Sequence, residues 1–477
     1  HNRGGIIGVL SLSHHHIRGA EAGYFDEKAR ATAGRPCLCA SFIPEQTGGF
    51  LGLQSKHLLS INGMQSKHGG VMEEIYQLSQ TQLKLFNRPY KRYLLQEPGL
   101  FKRFCVILGP RGVGKTTAMI QHLLDLATGD LFSPNILYVQ ADHFLIRDRN
   151  LYEIAEHFDN FGGNAVCFDE IHKYPDWSLE LKSIADTFPK LKILASGSSA
   201  LEITRASHDV SRRALHINMW GMSFREYLEL YLGITLPAYN LEAILKDHVP
   251  MANDIVDRLG EAKILAHFKS YLKHGYYPFY YDDQDEAVFF RILNQNLHTT
   301  LESDLLAIHP SLTGNSIKKI NKLIRVISSS VPFSPDLRKL SELTDISDQR
   351  TLKTYLKYLE DAGLIIGLCR TPRGLRSMEK PEKIFLNNPN LMYAFTDNTD
   401  IGSVRETFFM NSLGARHAVT FPEKGDFLVD DAFLFEVGGK NKDFKGIKDI
   451  PNSYLVLDDM EKGFGRKIPL WLFGFLY

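Results

Sequence analysis

The stretch FCVILGPRGVGKTTAMIQHLLDLA, residues 104–127, decides the fold. It opens on an apolar, partly β-branched run that reads as a buried parallel strand, and it closes on a run with helical spacing. Between them stands GPRGVGKT, a G-x-x-x-x-G-K-[ST] phosphate loop in the strand–loop–helix setting that this motif requires. Gly109, Gly112 and Gly114 permit the backbone turns that aim N–H groups at phosphate oxygens. The helix starting near Lys115 adds its positive N-terminal end. The spacing predicts a cradle of Gly109, Pro110, Arg111, Gly112, Val113, Gly114, Lys115, Thr116 and Thr117. Lys115 is expected at the β- and γ-phosphates, and the Thr116 hydroxyl is expected to ligate Mg2+. ATP and Mg2+ are the cofactors this pattern calls for.

Two downstream segments fit the same chemistry. NAVCFDEIH, residues 164–172, is an apolar strand ending in adjacent carboxylates, the Walker B arrangement. Asp169 is the expected partner of Mg2+, and Glu170 is expected to orient and activate the attacking water. The plainer reading is an acidic strand end that caps the next helix. KILASGSSA, residues 192–200, is another buried strand, from which Ser196 or Ser198 is a candidate sensor of the γ-phosphate; a polar exit from the strand explains the same residues. In SRRALHINMWGMSFREYLEL, residues 211–230, Arg212 or Arg213 is a candidate finger for transition-state charge, Arg213 the stronger. Whether it acts within its own chain or on a neighbour is left open. Ser223 followed by Glu226 predicts a capping box that starts a helix.

The segments GPRGVGKTT, FDEIHKYPDW, ASGSSALEI and SRRALHINMWGMSFREYL, in this order, resemble the prokaryotic AAA-domain P-loop ATPases that carry a C-terminal region of unknown function. The resemblance extends over residues 72 to 477, including GYYPFYY at 275–281 and FEVGGKNK at 435–442. It implies an α/β fold with four parts. These are a P-loop NTPase domain of AAA type with a parallel sheet (72–232), a helical lid or connector (233–330), a winged helix (331–386), and a restriction-endonuclease-like α/β C-terminal domain (387–477). It also implies ATP binding and hydrolysis, and it leaves the physiological target undefined.

Composition agrees with a globular chain of roughly two to four domains. Of its 477 residues 44% are hydrophobic and 23% charged, and the formal net charge is zero, so any nucleic-acid binding must come from local patches. Cys105 and Cys167 fall inside apolar runs and read as buried thiols of a reducing, cytoplasmic compartment. No apolar run approaches the length of about 18 residues that a membrane helix needs. Residues 1–71 begin with His, carry His14–His15–His16 and repeat QSKH, without a sustained period or a signal-peptide pattern. They read as a low-information, non-native leader, with the working protein starting near Met72.

The connector alternates apolar and charged positions at helical spacing; Glu302 and Asp304 read there as a solvated helix face. Residues 337–365 predict a helix-turn-helix with Leu352, Tyr355, Leu356 and Leu359 on the inner face of the second helix. Arg350, Lys353 and Lys357 on that helix, with Arg370, Arg373 and Arg376 on the wing, are candidate contacts for double-stranded DNA, and Gln349 is a candidate for base edges. Protein packing is the alternative use of such a module. A homo-oligomer is a candidate assembly.

FEVGGKNK poses a narrower question. Nucleases of the restriction-endonuclease type place Glu-x-Lys on a strand, two residues and about 7 Å apart on one face. Here Gly438 holds the lysine position, and Lys440 on an unbroken strand would stand roughly 13 Å away. A three-residue hairpin loop at 430–432 places Asp426 opposite Glu436; a two-residue loop would separate them. Glu406 is a candidate third carboxylate. The reading favours a nuclease-like fold without cutting. Three functions follow as alternatives: an ATPase whose nucleotide state controls the C-terminal modules, a nucleotide-gated DNA-binding protein with little turnover, or an ATP-regulated nuclease.

Overall fold

The computed structural model describes residues 67–97, 101–147, 149–198, 210, 212–329, 334–370, 380–396 and 399–477. The histidines at 14–16, Ser211 and the wing residues Arg373 and Arg376 lie outside these residues. The first described helix, Lys67–Leu85, runs across the expected boundary at 71 and buries Met72 and Ile75.

Five parallel strands follow: β1 (Phe104–Gly109), β2 (Ile136–Gln140), β3 (Ala165–Asp169), β4 (Lys192–Ser198) and β5 (Leu215–Asn218). Their order is β2-β3-β4-β1-β5. This is the P-loop AAA-type α/β domain. The continuous apolar runs arise because both sheet faces are covered. Phe104, Val106 and Leu108 of β1 enter one core cluster, while Cys105 and Ile107 enter the other, the two-residue alternation of a strand. Parallel strands also bring Gly109, Asp169 and Ser198 to one sheet edge, where open α/β sheets bind ligands. The capping box forms as expected: the Ser223 hydroxyl accepts from the Glu226 N–H, and the Glu226 carboxylate accepts from the Ser223 N–H.

The connector is helical, with α-helices Leu241–Leu259, Ile264–Ser270, Glu286–Thr299 and Gly314–Ser328. Two π-turns interrupt it, Tyr271–Gly275 and Thr300–Asp304. The second corrects one expectation. Glu302 is exposed, whereas Asp304 is 2% exposed, because the wider turn rotates it out of the solvated register and toward the nucleotide domain.

Helices Leu337–Thr344 and Gln349–Asp361 form the expected helix-turn-helix, turning at Asp345 in a left-handed conformation (φ 55°). Leu352, Tyr355, Leu356 and Leu359 are buried as the spacing predicts. Strands β6 (Ile365–Leu368) and β7 (Lys383–Leu386) then pair antiparallel. The last sheet contains β8 (Val419–Thr420), β9 (Phe427–Val429), β10 (Phe433–Gly438), β11 (Ser453–Leu457) and β12 (Lys467–Pro469), in the order β12-β11-β10-β9-β8. Pairing of Phe433 with Val429 and of Phe435 with Phe427 leaves a three-residue loop at 430–432 and aligns Asp426 with Glu436. One apolar cluster runs from Leu83 to Tyr477, across positions 232, 330 and 386. The closing turn Leu470–Phe475 is buried, and the Tyr477 carbonyl accepts from Ser223 Oγ (2.9 Å) and Arg225 Nε (3.0 Å).

Candidate nucleotide site

The phosphate loop takes its shape from three glycines. Gly112 (φ 86°) and Gly114 (φ 96°) lie in the left-handed region that disfavours side chains. A β-carbon on Gly109 would stand 2.4 Å from the Met219 carbonyl oxygen. Gly114 caps the helix Lys115–Leu126, whose first turn therefore directs free N–H groups into the loop. Lys115 is buried, and its Nζ donates to the carbonyls of Gly109 (2.8 Å) and Pro110 (3.0 Å). Burial pushes its ammonium below the ordinary value, against the attraction of Glu170 and Asp169. Pro278 and Phe279, from the GYYPFYY stretch, stand over Gly114 and Gly112.

Arg92 holds the loop from below. Its Nη1 donates to the Val113 carbonyl (2.6 Å), its Nη2 to the carbonyls of Trp220 and Gly221, and its Nε to Glu226 (2.8 Å). The capping-box glutamate thus also anchors the P-loop. Sequence reading missed Arg92, because no motif surrounds it and its partners lie more than a hundred positions away, Val113 excepted.

Asp169, 2% exposed, is the hub of the site. The Thr116 hydroxyl donates to its Oδ2 (2.6 Å), as does the Tyr138 hydroxyl (2.7 Å), and the Glu170 N–H donates to Oδ1 (3.0 Å). Burial, then the neighbouring Asp169 charge, pushes the Tyr138 phenol far above its ordinary value. Ser196, the candidate sensor, lies in the same network. Its hydroxyl donates to Asp169 Oδ1 and accepts from the Glu170 N–H (3.3 Å), and the residue is fully buried. With β4 between β1 and β3, Ser196 stands beside the Asp169 carboxylate. The Ser198 N–H donates to His172 Nδ1 (3.3 Å).

Glu170 adopts φ 56°, a left-handed conformation uncommon outside glycine and characteristic of strained functional positions. Two cations and an imidazole face it: Lys173 Nζ at 3.1 Å, Arg111 Nη2 at 3.3 Å and His172 Nε2 at 3.8 Å. Burial alone would raise its carboxyl; Lys115, His172, Arg111 and Lys173 outweigh that and hold it below the ordinary value.

Arg213 does not join this group. It binds Asp186 through Nε (2.7 Å) and Nη2 (3.0 Å) just before β5, at the sheet edge opposite the P-loop. Arg212 is exposed beside it. Strand direction thus separates both from the nucleotide site of their own chain, and a finger role for Arg213 requires a neighbouring chain.

The C-terminal carboxylates occupy a second cluster. Lys442 Nζ meets Glu436 Oε1 at 3.0 Å, and Lys383 Nζ meets Glu406 at 3.1 Å and Asp426 at 3.8 Å. Burial, then Asp426, raises the Glu406 carboxyl against the pull of Lys383. Lys440 lies exposed beyond β10, as expected. Lys442, which sequence reading passed over, is the lysine that folds back. A β-carbon on Gly438 would stand 2.7 Å from its side chain, so the glycine in the usual lysine position makes room for it. Among the described residues no group of three or more His, Cys, Asp or Glu is arranged to hold a metal ion.

Residues 102–228 match the family model described as AAA domain, and residues 265–401 match a domain of unknown function (DUF8612), which spans connector and helix-turn-helix together. An uncharacterized protein of Methanocaldococcus jannaschii is 31% identical over 198 residues, covering 40% of this chain and 41% of that protein. The alignment therefore spans less than half of the curated relative. Among solved structures, the Aeropyrum pernix ORC1 protein in complex with DNA aligns with 71% of this chain and 94% of its own, at 12% identity and a TM-score of 0.28. AMPPCP-bound DnaA from Aquifex aeolicus aligns with 60% of this chain and 88% of its own, at 14% identity and a TM-score of 0.24. At these scores no feature is carried over from either. Among the described residues no helix is long and apolar enough to cross a membrane.

Proposed function

We propose that the chain binds and hydrolyses ATP with Mg2+, and that its nucleotide state governs the helical connector, which reaches the site, and through it the C-terminal modules. The single observation that carries this reading is the Thr116–Asp169 hydrogen bond (2.6 Å), which joins the Walker A hydroxyl to the Walker B carboxylate at one sheet edge. The residues fit the cofactors. Thr116 and Asp169 would hold Mg2+ through the hydroxyl that the two share. When bound, Mg2+ neutralises charge on the transferred phosphoryl group. Lys115 leaves the carbonyls of Gly109 and Pro110 for the phosphates. Glu170 orients the water and takes its proton, and Ser196 and Tyr138 keep Asp169 in place. Release of inorganic phosphate from Mg-ATP, measured with and without duplex DNA, tests the reading; no release under either condition sinks it.

A second role rests on the exposed helix Gln349–Asp361. Arg350, near the Asp348 carboxylate, and Lys353 make no salt bridge among the described residues, whereas Lys357 pairs with Asp361 (2.6 Å) and Arg370 with Glu382 (2.8 Å). Duplex DNA on this face gives binding that weakens steeply with salt, and removing Arg350 and Lys353 together flattens the log–log slope by about two. Salt-independent binding, or none, assigns the module to protein packing.

The C-terminal cluster is read as structural. Lys383 and Lys442 already offset the charge of Glu406, Asp426 and Glu436, in the space a divalent cation would claim. With Mg2+ or Mn2+ the protein is expected to cut DNA no faster than its Glu436→Ala variant. Metal-dependent cutting that disappears in Glu436→Ala contradicts this and makes the chain an ATP-regulated nuclease.

A further inference from the structure

Arg111, the third residue of the P-loop, connects parts of the chain that the ATPase reading leaves separate. Its Nη2 donates to both carboxylate oxygens of Asp304 (3.0 and 3.2 Å) and lies 3.3 Å from Glu170. Its Nε is buried and has no hydrogen-bond partner among the described residues. Asp304 comes from the π-turn between the helices Glu286–Thr299 and Leu305–Ile308 of the connector, and its side chain is 3% exposed. His172, two residues past Glu170, stands 3.4 Å from the same carboxylate. Burial would raise the Asp304 carboxyl; the His172 contact and the Arg111 charge outweigh it and hold it below the ordinary value.

This pairing sets up a competition. A planar guanidinium binds a carboxylate or a phosphate equally well in geometric terms. Both carboxylates meet Arg111 through Nη2 alone, and turning the unpartnered Nε edge toward an anion in the loop moves Nη2 away from them. The π-turn is a local distortion of the helix, which such turns show most often at functional sites, and here its consequence is to bring Asp304 to Arg111.

We propose that Arg111 senses the γ-phosphate for the connector: ATP draws its guanidinium from Asp304 and Glu170, freeing Glu170 for water and releasing the π-turn, whereas ADP leaves the pair intact. Asp304 is then a positioning residue that acts through Arg111. This inference rests on the ATP-site reading above. The Arg111–Asp304 pair opposes ATP, because binding must first break it, and thermodynamic linkage makes the penalty specific to the nucleotide that takes the arginine.

The test measures equilibrium binding of a non-hydrolysable ATP analogue and of ADP, both with Mg2+, to the full chain. Asp304→Asn, which keeps shape and removes charge, is expected to raise the analogue-to-ADP affinity ratio by about fivefold or more, the usual lower scale of coupling between sites. Arg111→Gln is expected to lower that ratio by a similar factor, and it tests the proposal without altering the buried aspartate. In the double variant, Asp304→Asn adds nothing to Arg111→Gln. A merely structural role for Asp304 would weaken or strengthen both nucleotides alike. An unchanged ratio in both single variants, or equal shifts for both nucleotides, overturns the proposal while leaving the ATP site standing. A wild-type chain that binds neither nucleotide removes the ATP-site reading, and this inference with it.

Discussion

Lys115→Ala is expected to abolish tight binding of ATP. The ammonium is buried against the loop, where it meets two carbonyls and the attraction of Glu170 and Asp169. Its only mobile alternative to those carbonyls is an anion in the cradle. Removing it takes from the phosphate oxygens the buried cation that the loop itself encloses. The loss in affinity is expected to be on the order of a hundredfold or more, the scale of deleting a preorganised charged donor in a water-poor site. The fold should survive, because the apolar strands β1, β3 and β4 do not depend on this side chain. Calorimetric titration with Mg-ATP checks it, and wild-type affinity in the variant would show that the loop is not a phosphate cradle.

Glu170→Gln separates binding from chemistry. The amide keeps the size of the carboxylate and can still meet Arg111, Lys173 and His172, but it cannot accept a proton from water at neutral pH. Binding of ATP is expected to persist, with hydrolysis slowed by on the order of a hundredfold or more. Because Lys115, Arg111 and Lys173 help to hold this carboxyl below its ordinary value, its ionised form is present through the neutral range and is lost only under acidic conditions, as pH falls through that lowered value. Hydrolysis should therefore be insensitive to Glu170 titration near neutrality. Normal turnover in Glu170→Gln would mean that Asp169 and Glu170 cap a strand and do nothing more.

The parts of this site that a reader finds in the sequence are those that local physics dictates. A parallel strand buried on both faces must be apolar throughout, so β1, β3 and β4 announce themselves. The glycines of the P-loop and the Ser223–Glu226 capping box are fixed by backbone geometry over a few residues. The hairpin between β9 and β10 was decided by its loop length, and Asp430 and Asp431 accept the positive φ that a three-residue loop demands here.

What escaped depends on chain distant in sequence or on a break in period. Asp304 looks solvated on an ideal α-helix, and only the π-turn brings it to Arg111. Lys442 was hidden because the useful lysine is the second one after the Gly438–Gly439 pair, reached by a reversal that spacing along a strand cannot express. Arg92 belongs to the site through carbonyls of Trp220 and Gly221, for which a sequence offers no signature. The contact of Ser196 with Asp169 is not legible either, since strand order, not strand position, sets which residue it meets. Arg213 sits at the opposite sheet edge for the same reason.

The most direct test pairs two readings on the same preparations: Mg-ATP affinity and the rate of phosphate release, for the wild-type chain and for Glu170→Gln. The account predicts that both proteins bind Mg-ATP with similar affinity and that only the wild type releases phosphate at an appreciable rate. Equal release by the two, or a wild-type chain that binds no nucleotide, would contradict it.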